Sequence, residues 1–111
     1  MSEPIRRYSE FWLYYLREHA KPQTRALHYL GTSVATAAMI GLVITGRFWL
    51  APLVLLAGYG PAWAAHLFVE NNRPATFTYP LWSLISDYRM AWTWAIGELG
   101  TELTRAGVHT S

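Results

Sequence analysis

The chain has 111 residues, of which 52% are hydrophobic and only 14% are charged, and its formal net charge is +2. Soluble domains usually carry about 25% charged residues, so this composition argues against an ordinary soluble surface. The small, dispersed positive charge gives no indication of a nucleic-acid partner. The absence of cysteine excludes disulfides and thiolate metal ligands. This length predicts a single domain over residues 1–111.

The N-terminal segment predicts an amphipathic helix over residues 6–19. Its aromatic and apolar side chains recur at helical spacing on one stripe: Tyr8, Phe11, Trp12, Tyr15, Leu16 and His19. An aromatic stripe backed by charge is typical of a helix that lies in a bilayer interface, and packing on a soluble core is the alternative. His19 ends the stripe and is therefore expected to point inward.

Two uncharged stretches follow, 26–46 and 48–69, and Arg47 alone separates them. Each is long enough to span about 30 Å of hydrocarbon. Together they predict an all-α integral membrane protein built around a helical hairpin. Pro61, inside the second stretch, predicts a kink. A series of small residues predicts a seam for close helix packing on the first arm: Ser33, Ala37 and Gly41.

The distribution of basic residues predicts the orientation of the hairpin in the membrane. Five basic residues precede it and three follow it, whereas only Arg47 lies in its turn: Arg6, Arg7, Arg17, Lys21 and Arg25, then Arg73, Arg89 and Arg105. Because positive charge concentrates on the cytoplasmic side, both termini are predicted to be cytoplasmic. The membrane is either a bacterial inner membrane or the endoplasmic reticulum.

A last helix is predicted over residues 80–104, after a loop at residues 71–74. Its apolar stripe comprises Leu81, Leu84, Ile85, Tyr88, Trp92, Ala95, Ile96 and Leu99. Several tryptophans on this segment favour a position at or partly in the interface, so we expect a C-terminal interfacial or membrane helix.

The geometry of the hairpin predicts that His28 and His66 lie close together. His28 lies about 18 residues before the turn and His66 about 19 after it, so at 1.5 Å per residue they reach a similar depth. Glu70 lies one helical turn beyond His66, at the same end of the hairpin. His19 precedes the first arm at that end. His109 lies in a polar tail and is not expected to join them.

Imidazoles and carboxylates without thiolates suit Fe(II), Zn(II) or Mn(II). The predicted metal ligands are His19, His28, His66, Glu70 and Asp87, and the first four are also the predicted catalytic residues. Arg73 and Arg25 are predicted to bind a substrate carboxylate. Simpler interpretations remain: His66 as an interior histidine, Glu70 as a partner of Arg73, Asp87 as a surface residue near Arg89, and Arg25 as an interface anchor.

The combined pattern resembles a known family. It comprises His19-x2-Pro22-x2-Arg25-x2-His28-x2-Gly31-Thr32, His66-x3-Glu70-x2-Arg73-Pro74-Ala75-Thr76, and Pro80-Leu81-Trp82-Ser83 with Asp87. Over about residues 8–95 this is similar to the small membrane proteins that include the fungal 2-hydroxy fatty acid dioxygenase. The three histidines match the motif histidines, and Glu70 matches the acidic position after the third.

The resemblance implies an Fe(II)-dependent membrane enzyme that shortens 2-hydroxy fatty acids by one carbon with O2 and releases CO2. Its partners would be O2 and a fatty acid or membrane lipid, and a homo-oligomer is left open. Two other classes remain. One is a zinc-dependent lipid hydrolase with Glu70 as general base. The other is a non-enzymatic membrane protein whose histidines are structural or bind haem.

Overall fold

A computed structural model describes residues 4–108, and every regular element among them is helical. The helices are α1 (Tyr8–Arg17), α2 (Pro22–Thr45), α3 (Ala51–Ala64), α4 (Pro80–Ala95) and α5 (Leu99–Arg105). Short 3-10 turns lie at Phe48–Leu50 and Ala75–Phe77, and a π-helical turn, Ala65–Glu70, continues α3. The predicted all-α class is confirmed.

The described chain forms two compact units. Lys21–Pro74 is one, and the segments on either side of it form the other. The hairpin unit therefore contains α2, α3 and the π-helical turn, whereas the second unit contains α1, α4 and α5. A single domain over the whole chain stays a prediction.

Proline and glycine set the limits of the hairpin. Pro22 occupies the first turn of α2, where its missing N–H costs no hydrogen bond. Gly46 ends α2 with a φ of +70°, in the left-handed region that glycine adopts without strain. Pro61 lies inside α3, and the helix widens into the π-helical turn four residues later. π-helical turns are rare and occur frequently at functional sites.

The two arms of the hairpin meet at Gly31 and Gly58. A Cβ added to Gly31 would lie 2.7 Å from the carbonyl oxygen of Gly58, and one added to Gly58 would lie 3.1 Å from Cβ of Ala35. The helix backbones are thus in direct contact there. The predicted seam is not the contact face of this hairpin, because its three residues are exposed: Ser33, Ala37 and Gly41. Close packing of another helix against them stays a prediction.

Both arms are long and apolar enough to cross a membrane. The candidate spans are Pro22–Thr45 and Phe48–Glu70, and only 17% and 22% of their most apolar windows are buried. A core helix of a soluble protein would be mostly buried. Length, composition and exposure together favour lipid as the surroundings of the hairpin.

The second unit is built on the aromatic face of α1. The buried residues of α1 are Phe11, Trp12, Tyr15 and Leu16, and all of them lie on the predicted stripe. The helix is shorter than predicted at each end. The Phe11 ring lies 5.3 Å from that of Tyr79. The Trp12 indole N–H donates a 3.0 Å hydrogen bond to Glu102 of α5, and the Arg89 guanidinium of α4 lies 4.2 Å from the Trp12 ring.

The predicted last helix is two helices, because Gly97 adopts a φ of +78° between α4 and α5. On α4 the apolar stripe is exposed: Leu81, Leu84, Ile85, Tyr88 and Trp92. The buried residues of α4 are Ser83, Ser86, Met90 and Thr93. This outward apolar face agrees with the expected interfacial or membrane helix. Its 16 residues extend about 24 Å, which is short of a full span.

We expect Gly31→Ala to destabilise the hairpin, because the new methyl would overlap the Gly58 carbonyl. Overpacking of this kind costs about 1–3 kcal/mol of unfolding free energy. Gly41→Ala is the matched control on the same helix, since a Cβ there meets nothing within 4 Å. Unfolding of the purified variants in detergent measures both effects. Equal losses at the two positions would contradict the observed contact.

Candidate metal centre

Two of the predicted ligands, His28 of α2 and His66 of the π-helical turn, lie together. Their ring centroids are 5.0 Å apart in an edge-to-face arrangement. Their nearest potential ligand nitrogens lie within 4.8 Å of one another, and both side chains are buried. The predicted convergence of these two histidines is confirmed.

The His28 ring is oriented by its own helix. Its Nδ1 lies 2.9 Å from the carbonyl oxygen of Thr24, one turn earlier. A carbonyl can only accept, so Nδ1 carries the proton and the ring presents the lone pair of Nε2. The Thr24 hydroxyl is itself buried and has no hydrogen-bond partner among the described residues. A ligand bound beside His28 would give that hydroxyl a partner.

Asn72 orients His66. The Nδ1 of His66 lies 2.6 Å from the side-chain oxygen of Asn72, and the Asn72 backbone N–H donates a 2.8 Å hydrogen bond to the His66 carbonyl. Asn71 turns the chain back between them with a φ of +59°. The donated Nδ1 proton again leaves a lone pair on Nε2.

In the second unit, Tyr15 holds His19 through two contacts. The Nδ1 of His19 lies 2.6 Å from the Tyr15 carbonyl oxygen, and the two rings stack with centroids 4.0 Å apart. The Tyr15 hydroxyl donates in turn to the carboxylate of Asp87. His19 lies just beyond the end of α1 and is 1% exposed, so it points inward as the sequence predicted.

These donors fit a bound metal ion. Each of the three buried histidines offers one imidazole nitrogen, and in each the other ring nitrogen faces an oxygen acceptor. Ligating histidines almost always have such a partner, because it fixes the tautomer and the ring orientation. A set of imidazoles suits Fe(II), Zn(II) and related ions. Ligation by these histidines stays a prediction.

Glu70 makes a contact that the sequence did not predict. One of its carboxylate oxygens accepts a 2.5 Å hydrogen bond from the backbone N–H of Lys21, directly before α2. The Lys21 ammonium donates to the carbonyl oxygen of Val69 at 2.8 Å. The beginning of α2 and the end of the π-helical turn are therefore bonded together. A carboxylate there also interacts favourably with the dipole of α2.

The remaining predicted residues occupy separate positions. Arg25 is half-buried on α2, and Arg73 is exposed just after the π-helical turn. Asp87 is paired with Tyr15, whereas Arg89 forms an ion pair with Glu102 at 3.6 Å. The expectation that His109 is not a ligand falls outside the described residues.

Sequence reasoning missed three residues that orient the histidines: Tyr15, Thr24 and Asn72. Tyr15 and Thr24 each precede a histidine by four residues, which is the spacing of a histidine and an acceptor carbonyl one turn earlier. Asn72 was read only as part of a loop. The sequence feature that could have identified it is a side-chain amide just beyond the end of a helix that carries a histidine.

A comparison with protein-family models finds a match to the family described as 2-hydroxy-palmitic acid dioxygenase Mpo1-like, over residues 5–99. The chain belongs to the Mpo1-like family. The predicted resemblance is thereby confirmed over most of the chain. Searches among curated proteins and among solved structures find no match. The Mpo1-like description names a dioxygenase and a 2-hydroxy fatty acid, and it thus suggests both an enzyme class and a substrate class for this chain.

Asp87 supplies a pH-dependent test of the second unit. Burial raises the pKa of its carboxyl from 3.8 to about 6, and the hydrogen bond from Tyr15 opposes that rise. Because the folded pKa is the higher one, folding binds a proton between these values, and stability falls as the pH rises from about 4 through about 6.

We expect Asp87→Asn to remove this dependence while keeping an acceptor for Tyr15. The unfolding free energy of the wild type should fall relative to that of the variant by up to about 3 kcal/mol between pH 4 and pH 7. Thermal unfolding of both proteins across this range measures the difference. A difference that stays constant with pH would contradict the burial of an ionisable carboxyl.

Proposed function

We propose that this Mpo1-like protein is an Fe(II)-dependent dioxygenase that removes one carbon from long-chain 2-hydroxy fatty acids by α-oxidation. The observation that carries the proposal is the set of buried histidines whose Nδ1 atoms each face an oxygen acceptor. The family description adds the reaction class and the type of substrate.

In this proposal His19, His28 and His66 share one metal ion. His28 and His66 are neighbours within the hairpin unit. His19 precedes Lys21 by two residues, and Lys21 is bonded to Glu70 and Val69. Since consecutive Cα atoms are about 3.8 Å apart, the Cα of His19 lies within about 7.6 Å of the Cα of Lys21. The covalent chain thus supports the inclusion of His19.

Each side chain has a defined task in this account. Tyr15, Thr24 and Asn72 hold the imidazoles in the tautomer that presents Nε2. Glu70 and Asp87 remain proposed ligands, but their hydrogen bonds to Lys21 and Tyr15 favour positioning roles. Bound Fe(II) would supply the activation of O2 and the open positions at which the substrate's carboxylate and hydroxyl can bind.

Arg73 and Arg25 are the proposed carboxylate-binding residues. Both belong to the hairpin unit: Arg25 lies on α2, three residues before His28, and Arg73 lies just after the π-helical turn that carries His66. A guanidinium binds a carboxylate through two parallel hydrogen bonds, which fixes the orientation of the substrate headgroup. A site at the end of membrane-crossing helices would leave the acyl tail in lipid.

We further propose that the hairpin spans its membrane with both termini in the cytoplasm. The skewed distribution of basic residues and the length of the two apolar helices support this orientation. A cysteine placed at position 47 should react with an impermeant reagent from the side opposite the cytoplasm, and labelling from the cytoplasmic side would refute the orientation.

Anaerobic purification followed by metal analysis tests the metal site. We expect stoichiometric Fe(II) in the wild type and loss of most of it in His28→Ala and His66→Ala, since an incomplete ligand set binds weakly. Asn72→Ala should weaken iron binding by about 10–100-fold, because it only releases the orientation of His66. His109→Ala is the matched control and should retain its iron. Equal iron content in His28→Ala and the wild type would remove His28 from the site.

A product assay tests the reaction. Iron-loaded protein supplied with O2 and 2-hydroxypalmitate should release CO2 and the fatty acid one carbon shorter, identified by mass spectrometry. Plain palmitate should react far more slowly, because it lacks the second chelating oxygen. Arg73→Ala should raise KM for the hydroxy acid but leave the iron content unchanged. If the metal-loaded protein forms no shortened acid at any chain length, the proposed reaction is rejected. The proposed metal site is unaffected by that result.

A further inference from the structure

The hairpin carries a second feature at the opposite end from its histidines. A groove of about 410 Å³ lies between α2 and the beginning of α3, next to the turn. Its walls include Leu42, Leu50, Leu53 and Val54, and Arg47 lies at its edge. Arg47 and His66 are separated by 19 residues of a helical arm, or about 28 Å, so this groove is distinct from the proposed metal site.

The lining is apolar except at one point. Thr45 also borders the groove, but its hydroxyl donates to the Gly41 carbonyl at 2.8 Å. Arg47 is the only residue with a formal charge between Arg25 and Glu70. None of the ion pairs within residues 4–108 involves its guanidinium. The groove therefore combines an apolar channel with one cation at its end.

We propose that this groove binds an anionic phospholipid of the surrounding bilayer, with an acyl chain along the apolar walls and the phosphate on Arg47. The chemistry of the two parts matches that of such a lipid. The apolar walls favour an alkyl chain, and a guanidinium pairs with phosphate through two hydrogen bonds. The position also matches, because Arg47 lies at the end of both candidate spans, where lipid headgroups are found.

Native mass spectrometry of the full chain, released from detergent, tests the proposal. The probes are phosphatidylglycerol and phosphatidylcholine with identical acyl chains. We expect the wild type to retain phosphatidylglycerol about fivefold better, which is the effect of one basic side chain on an anionic lipid. Arg47→Gln should abolish that preference, whereas Arg17→Gln, on exposed α1 surface, should keep it.

Two variants test the groove itself. Gly41→Leu should fill it, because Gly41 lines the groove and a Cβ there meets nothing within 4 Å. It should lower the retention of both lipids, and Ala38→Leu, at another lining position, provides the same test if the first variant fails to fold. Ala37→Leu adds the same three carbons as Ala38→Leu, but to an exposed position outside the groove lining, and it should bind as the wild type does.

Three outcomes would overturn the proposal. They are an unchanged lipid preference in Arg47→Gln, full lipid retention in both groove-filling variants, and displacement of phosphatidylglycerol by free palmitate at equal concentration. The last would identify a fatty acid instead of a phospholipid as the occupant. None of these outcomes depends on the metal, so the proposed dioxygenase activity is tested separately.

Discussion

The contact between Gly31 and Gly58 sets the geometry of the hairpin. Because neither residue has a Cβ, the carbonyl of Gly58 approaches α2 at a distance that a methyl on Gly31 would block. His28 lies about one helical turn from Gly31, on the side away from the Gly46 turn. Helices held this closely allow a side chain as short as histidine to meet its counterpart from the other arm, and His28 and His66 do so at 5.0 Å.

Backbone carbonyls then give two of the imidazoles their chemical character. His19 and His28 each direct Nδ1 to the carbonyl four residues earlier, so the same local device recurs in two units of the fold. His66 lies in a π-helical turn and uses the side chain of Asn72 instead. The common result is a proton on Nδ1 and a lone pair on Nε2, which is the form of histidine that binds a metal.

The polarity of the fold agrees with a lipid environment. The hairpin exposes most of its apolar residues, while α4 buries serines and exposes leucines and tryptophans. In water such an arrangement would expose large apolar surfaces to solvent. In a bilayer it places the polar groups against other protein groups, where their hydrogen bonds can be made.

Much of this architecture could be predicted, because it depends on patterns that a sequence displays directly. Uncharged stretches, the Gly46–Arg47 turn and a rise of 1.5 Å per residue were enough to place His28 and His66 at one depth. The face of α2 that contacts α3 could not be predicted, because small residues recur at helical spacing on more than one face of α2. The face that carries Gly31 packs against α3 because Gly58 lies opposite it on the other arm.

The remaining misses have similar causes. The last helix was predicted as continuous over residues 80–104, but Gly97 adopts a left-handed conformation just after the end of α4. Pro61 indicated a distortion of α3 but not the π-helical turn that carries His66 and Glu70. Asn72 could not be identified as the partner of His66, because that contact depends on the left-handed turn at Asn71.

X-ray absorption spectroscopy of the iron-loaded protein tests the central claim most directly, since it reports the ligands of the metal without reference to turnover. We expect a shell of nitrogen and oxygen ligands, with outer-shell scattering from three imidazole rings that falls to two in His19→Ala. A spectrum without imidazole scattering, or one that is identical in the wild type and the histidine variants, would contradict it.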